Sequence, residues 1–107
     1  MTEDEQAELR RKATIDALEF AEHAYGRMAQ RRISAGEVRQ ALISGRVLEY
    51  YPDDRHGPSC LVLGRTAGNR PLHVVCSHPR RPRVKVITAC EPDLGQWHPD
   101  FINRRTP

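Results

Sequence analysis

Apolar residues in the first third of the chain recur at three- and four-residue steps, a spacing typical of one face of an α-helix. The members of this pattern are Ile15, Leu18, Ala21, Tyr25 and Met28. The residues around them are strong helix formers. The pattern therefore predicts one helix over residues 5–32. Glycine costs about 1 kcal/mol in a helix interior, so a kink or a break can occur near Gly26.

A second helix is marked by signals at both of its ends. Ser34 is a natural N-cap, Glu37 stands at the third helical position of a capping box, and Gly45 follows the last periodic residue. These signals predict a helix over residues 35–44. Its expected inward face is formed by Val38, Ala41 and Leu42.

After this helix the apolar pattern changes to a period of two or to short apolar runs, which predict strands. The four runs cover residues 46–51, 59–65, 70–77 and 83–90. The connections between them are short and rich in Gly, Pro, Asn or Asp. Short connections predict that consecutive strands are antiparallel neighbours. Helices first and strands second predict an α+β fold, with N-terminal helices packed on a mainly antiparallel sheet of about four strands. We expect the C-terminal tail to dock through Trp97 and Phe101.

Composition and charge narrow the class of protein. The chain has 107 residues, of which 38% are hydrophobic and 29% are charged, and no apolar run reaches the roughly 20 residues of a membrane span. Because no signal-peptide pattern is visible, we expect a cytoplasmic protein without a membrane partner. Residues 1–22 carry three basic and seven acidic side chains, a net charge of −4, whereas residues 23–107 carry fourteen basic and seven acidic ones, a net charge of +7. The basic body favours a polyanion or an acidic protein as partner.

Three cysteines, Cys60, Cys76 and Cys90, form an odd set without paired spacing, which predicts reduced thiols. The segment His73-x-x-Cys76-x-His78 invites a zinc hypothesis, since zinc binds thiolate and imidazole ligands. However, a regular strand sends His73 and Cys76 to opposite faces, and no second closely spaced pair completes a tetrahedral site. We therefore expect no metal and no cofactor, and core cysteines are the simpler interpretation.

The candidate catalytic residues start with a stripe on the first predicted helix. His23, Arg27 and Arg31 recur at positions i, i+4 and i+8, so they follow one slowly drifting helical stripe. Cleavage of RNA by its own 2′-hydroxyl needs a proton acceptor, a proton donor and positive charge at the phosphorane. A histidine with arginines supplies these groups. The competing interpretation is that the three side chains face water or bond to carbonyls at element ends, and spacing alone favours that interpretation.

Candidates of second rank lie on the predicted strands and turns. They are His73 as a catalytic residue and Arg65, Arg80, Arg81 and Lys85 as substrate-binding residues. Strand alternation can place His73 on one face with Arg65 or Lys85, although a histidine satisfied within the sheet fits the pattern equally well. The turn over residues 78–83 concentrates cations that can bind phosphates without reading sequence, and a solvated basic loop is the alternative.

Four segments carry a family resemblance. They are His23-x-x-x-Arg27-Met28-x-x-x-Arg31-x-Ile33-Ser34, Gly45-Arg46-Val47-Leu48-Glu49-Tyr50-Tyr51-Pro52-Asp53-Asp54, Leu72-His73-Val74-Val75 and Ile87-Thr88-x-x-Glu91-Pro92-Asp93. In this order and at these spacings they resemble an uncharacterised bacterial family, domain of unknown function 4258, and through it the RelE and BrnT group of toxin ribonucleases. The resemblance spans residues 23 to about 103, and Cys90 stands where such sequences often have tyrosine.

The resemblance implies a toxin-like domain over residues 21–107, preceded by an N-terminal helical extension over residues 1–20. It implies the toxin component of a toxin–antitoxin pair, a metal-independent endoribonuclease acting on messenger RNA. The implied partners are RNA and a cognate antitoxin, which in this family is often a small zinc-binding protein with a DNA-binding part. In this hypothesis His23 transfers protons, and Arg27 and Arg31 bind the phosphate. The alternative is a non-catalytic protein- or nucleic-acid-binding module of the same fold.

Overall fold

A computed structural model describes residues 1–106 of the chain. The elements in chain order are α1 (Glu3–Thr14), β1 (Leu18–Phe20), α2 (Glu22–Gln30), α3 (Ala35–Ser44), β2 (Arg46–Tyr51), β3 (Ser59–Arg65), β4 (Pro71–Ser77) and β5 (Val84–Cys90). The strands form one open sheet in the order β1-β5-β4-β3-β2. The β1/β5 pair is parallel and the other three pairs are antiparallel, so the sheet is mixed. The predicted α+β class is confirmed.

The sheet has five strands rather than the four that the sequence predicted. The four predicted strands are present as β2 to β5, and the added strand is β1, with only three residues. The single helix predicted over residues 5–32 is wrong, because α1 ends at Thr14 and Asp16 takes a φ of 58° before the chain enters β1. The helix does not break at Gly26, which lies inside α2.

The first helix begins with a capping box that sequence reasoning missed. Thr2 Oγ1 accepts a hydrogen bond from the Glu5 amide at 3.1 Å, and Glu5 Oε1 accepts one from the Thr2 amide at 2.9 Å. The helix packs against α3 and buries Leu9 and Ala13 in the common core. Arg39 of α3 donates to the Ala13 carbonyl at 2.9 Å, so it satisfies a carbonyl at the C-terminal end of α1.

The predicted helix over residues 35–44 is confirmed with its N-terminal cap. The Ser34 hydroxyl accepts from the Glu37 amide and the Glu37 carboxylate accepts from the Ser34 amide, both at 3.0 Å. The predicted inward face is also confirmed, since Val38, Ala41 and Leu42 are all 0% exposed. Gly45 ends the helix with extended backbone, φ −83°, rather than in a left-handed C′ conformation.

The helices cover one face of the sheet, and the C-terminal tail docks on the other. Trp97 is buried and its ring meets the His73 ring edge-on, with centroids 4.4 Å apart. The carbonyl of Phe101 lies 2.9 Å from His73 Nε2. The predicted docking through Trp97 is thereby confirmed, whereas Phe101 contributes its backbone to this contact. Among residues 1–106, the helices are all too short or too polar to cross a bilayer.

A substitution at Gly64 tests how closely α3 approaches the sheet. A Cβ atom added there would lie 1.7 Å from the Ala41 carbonyl oxygen, a backbone atom that cannot move without shifting the helix. We expect Gly64→Ala to be strongly destabilising. Gly26→Ala is the matched control, because an added Cβ meets nothing within 4 Å there, and it should stabilise the protein by up to about 1 kcal/mol. Denaturant titration measures both, and a Gly64→Ala variant as stable as wild type would contradict the packing.

Candidate active site

A cleft of about 250 Å³ lies where the start of α2, the strand β5 and the loop between β2 and β3 meet. Its lining residues are Ala21, His23, Asp54, His56, Gly57, Pro58, Ser77, Arg81, Lys85 and Ile87. Two imidazoles and two basic side chains are therefore gathered around one opening. Apolar groups such as Pro58 and Ile87 form part of its wall. This cleft is the candidate active site.

The edge of the sheet positions His23 and Lys85. The Ala21 amide donates to the Val86 carbonyl at 2.9 Å, which fixes the start of α2 beside β5. Lys85 alternates with the buried Val84 and Val86, so its side chain leaves the sheet on the face opposite to the core. The β4/β5 pairing also shifts register beside Ile87, and such bulges redirect side chains next to functional sites.

The loop between β2 and β3 brings His56 to the cleft through two hydrogen bonds to one carboxylate. Asp54 accepts from the His56 amide at 3.1 Å and from the Ser59 hydroxyl at 2.8 Å. These two hydrogen bonds lower the pKa of Asp54, so the carboxylate stays charged at neutral pH. Gly57 follows with a φ of 98°, a left-handed conformation that side chains rarely adopt.

The cationic side of the cleft is only partly neutralised. Arg81 Nη2 lies 3.3 Å from the Glu19 carboxylate of β1, and both side chains are nearly half exposed. Such an exposed pair is weak, so a phosphate can compete for the guanidinium. Lys85 takes part in no ion pair within 4.0 Å among the described residues. The cleft therefore presents two cations, Arg81 and Lys85, together with the charged carboxylate of Asp54.

Three of the predicted site residues, His23, Arg81 and Lys85, are brought together in this cleft. Sequence reasoning missed His56, which no periodic pattern distinguishes from other loop residues. The remaining predicted residues are Arg27, Arg31, Arg65, His73 and Arg80, and they lie outside the lining of the cleft. The predicted site thus divides between several places in the fold.

The predicted stripe of His23, Arg27 and Arg31 is too long for one cleft. Eight residues along a helix span about 12 Å, so Arg31 reaches a separate groove at the other end of α2. There Arg31 Nη1 donates to the Ala89 carbonyl at 2.8 Å. The β1 strand pairs with β5 only as far as Val86, and Arg31 occupies the edge that β1 leaves free. Arg27 is exposed on α2 between these two places.

The predicted catalytic residue His73 is covered by the C-terminal tail. It is 4% exposed and contacts Trp97 and the Phe101 carbonyl. Burial lowers the pKa of His73, which favours the neutral ring. Arg104 extends this cover, since its guanidinium lies over the Trp97 ring at 4.4 Å and pairs with Glu49 at 2.9 Å.

Two predicted substrate-binding arginines bond to the protein itself. Arg65 Nη1 donates to the Asn69 carbonyl at 3.2 Å, within the turn between β3 and β4. Arg80 Nη2 lies 3.4 Å from the Tyr50 hydroxyl. Neither residue lines the cleft, although Arg80 directly precedes Arg81 in the same turn.

The cysteines lie mostly inside the protein. Cys60 and Cys76 are cross-strand neighbours in the core, with their Sγ atoms 3.8 Å apart. Cys90 is half-buried, and burial raises the pKa of its thiol. Within residues 1–106, no group of three or more His, Cys, Asp or Glu side chains is placed to hold a metal ion.

The fold and the cleft together define a small α+β protein with a cationic, two-histidine site beside the edge of a mixed sheet. Residues 20–91, about two thirds of the 107-residue chain, match the family model described as domain of unknown function DUF4258. The protein therefore belongs to the DUF4258 family. No curated protein and no solved structure matches the chain. The matched span contains every residue that lines the cleft, whereas α1 lies outside it.

Substitution of Arg31 separates a structural from a catalytic role. Arg31→Met removes the donor to the Ala89 carbonyl, and we expect it to lower the free energy of unfolding by about 1–3 kcal/mol. Arg27→Met is the control one helical turn earlier, because Arg27 is exposed like Arg31 but does not bond to β5 as Arg31 does, and it should change stability by less than about 0.5 kcal/mol. Denaturant titration gives both values. Equal stability of the two variants would contradict the structural role of Arg31.

Proposed function

We propose that the protein is a metal-independent endoribonuclease that acts on messenger RNA as the toxin of a toxin–antitoxin pair. The observation that carries the proposal is the convergence of His23 and His56 with Arg81 and Lys85 in one cleft. These four side chains come from different elements and loops, so local structure alone does not explain their meeting. Phosphodiester cleavage needs this set of groups.

In the proposed reaction, one imidazole accepts the proton of a ribose 2′-hydroxyl, whose oxygen attacks the adjacent phosphorus. The bond from phosphorus to the 5′-oxygen of the next nucleotide breaks, and the second imidazole donates a proton to that leaving oxygen. Histidine suits both roles because it exchanges protons near neutral pH. The products are a 2′,3′-cyclic phosphate and a free 5′-hydroxyl group.

The cations supply the electrostatic part of catalysis in this proposal. Arg81 and Lys85 bind the phosphate oxygens, on which negative charge increases in the transition state. The planar fork of an arginine can donate two hydrogen bonds to one phosphate. Arg27 follows His23 by one helical turn and is exposed, so we assign it to a neighbouring phosphate of the same strand.

The proposed substrate is single-stranded RNA. A cleft of about 250 Å³ suits one unstacked nucleotide, and its apolar wall at Pro58 and Ile87 can contact a sugar or a base. The net charge of +7 over residues 23–107 supports a polyanionic substrate. The resemblance of the four sequence motifs to RelE and BrnT ribonucleases supports the toxin role. The cognate antitoxin and the cytoplasmic location belong to the same proposal.

Histidine substitutions test the proposal directly. Inducible expression of the wild type should arrest growth and fragment RNA, and His23→Ala or His56→Ala should each reduce cleavage by about 10²-fold or more. The double variant should be little worse than the worse single one, because groups that act together give non-additive losses. His98→Ala is the control, since His98 is exposed in the tail outside the cleft.

The same variants distinguish the enzyme from a binding module. Purified protein is mixed with an RNA oligonucleotide and with its DNA counterpart, which has no 2′-hydroxyl and should stay intact. If both histidine variants fold, bind RNA and are as toxic as wild type, the catalytic proposal is wrong. Salt-sensitive RNA binding without cleavage would then indicate a non-catalytic nucleic-acid-binding module.

A further inference from the structure

The α1 helix carries a buried charge that the proposed reaction does not use. Lys12 is 9% exposed, and its ammonium donates to the Pro79 carbonyl at 2.5 Å and also to the Arg81 carbonyl. Glu8 Oε1 is 3.9 Å from the same ammonium, beyond hydrogen-bond distance. Because a buried charge is costly unless its hydrogen bonds are made, these two carbonyls hold the ammonium in place.

A second contact joins α1 to the same loop. Glu5 bonds through its carboxylate to Nε2 of His78, which is 5% exposed. The other ring nitrogen, Nδ1, accepts from the Arg80 amide at 3.0 Å, so the proton of a neutral ring lies on Nε2. The loop over residues 78–83 is therefore bound to α1 both at its start and in its middle.

Arg81, in the middle of this loop, places its guanidinium in the lining of the cleft. The Arg81 carbonyl is bound by Lys12, while the Arg81 side chain lines the cleft and reaches Glu19 at 3.3 Å. A shift of the backbone at this residue would move its guanidinium. The exposed pair with Glu19 is too weak to hold the side chain by itself. The hydrogen bond from Lys12 is the contact of α1 that acts on the backbone of this residue itself.

We propose that Lys12 is a positioning residue, which fixes the loop over residues 78–83 so that Arg81 can bind a phosphate in the cleft. The inference rests on the proposed function to the extent that the cleft binds anions. It gives α1, which lies outside the family match, a part in building the site.

A double-mutant cycle on the full chain tests this coupling. The variants are Lys12→Met, Arg81→Ala and their combination, and the probe is inorganic phosphate, followed through the NMR signals of the His23 and His56 rings. We expect each single variant to weaken phosphate binding about tenfold, as for the loss of one charged hydrogen bond. The double variant should bind no more weakly than the worse single one.

Two controls separate positioning from charge and from folding. Arg11→Met removes the neighbouring cation of α1, which is exposed and pairs with Glu8, and it should leave phosphate binding unchanged. Amide hydrogen exchange should become faster over residues 79–83 in Lys12→Met, with little change in β3 and β4. If Lys12→Met does not fold, Lys12→Gln replaces it in the cycle. The glutamine amide keeps an N–H donor, but its side chain is one atom shorter than that of lysine.

The outcomes are distinct. If Arg81→Ala weakens binding but the Lys12 variant binds as wild type, the positioning role is wrong and the proposed function stands. Lys12→Met can also weaken phosphate binding by the same factor in the wild type and in the Arg81→Ala background. In that case Lys12 acts through general charge or stability, and the inference is again overturned. If wild type binds no phosphate, the anion site itself is wrong and both proposals fail.

Discussion

The contact between α3 and β3 is the constraint on which the rest of the structure depends. The backbone of the helix approaches the strand so closely that Gly64 cannot carry a side chain, because a Cβ would meet the Ala41 carbonyl. At this distance Val38 and Leu42 are fully covered by the sheet, and α1 can pack on α3. With all helices on one face, charged side chains such as Lys85 are left on the other.

The candidate site forms where the regular sheet stops. The β1 strand pairs with β5 over three residues, and the chain then turns into α2, so the second half of β5 pairs with β4 on one side and has no strand on its outer side. The side chains of Arg31 and His23 lie at this outer edge of β5 in two different arrangements. Arg31 donates to a free carbonyl at one end, which is a structural role, whereas His23 faces an open cleft at the other end. The structural interpretation of the histidine and arginine stripe therefore applies to Arg31, whereas His23 belongs to the proposed site.

The uneven charge distribution along the chain is explained by contacts within the fold. The acidic N-terminal segment supplies Glu5 and Glu19, which bond to His78 and Arg81 of the basic turn between β4 and β5. The hydrogen bonds from the Thr2 amide and from His78 lower the pKa of Glu5 to about 2, so this link persists in mildly acidic solution. The same segment thus limits the free positive charge near the cleft and orders the loop that carries it.

The sequence alone determined those elements whose signals are local. The helix over residues 35–44 was predictable because its cap and inward face lie within ten residues, and β2 to β5 were predictable from their period of two and their turn residues. Only the tertiary structure decided the rest. Leu18 fits a helical period, and it lies in a strand because β5 pairs beside it. His56 lies near His23 in the cleft because the loop between β2 and β3 packs against the start of α2. This proximity depends on packing between segments far apart in the sequence, so no local sequence pattern predicts it.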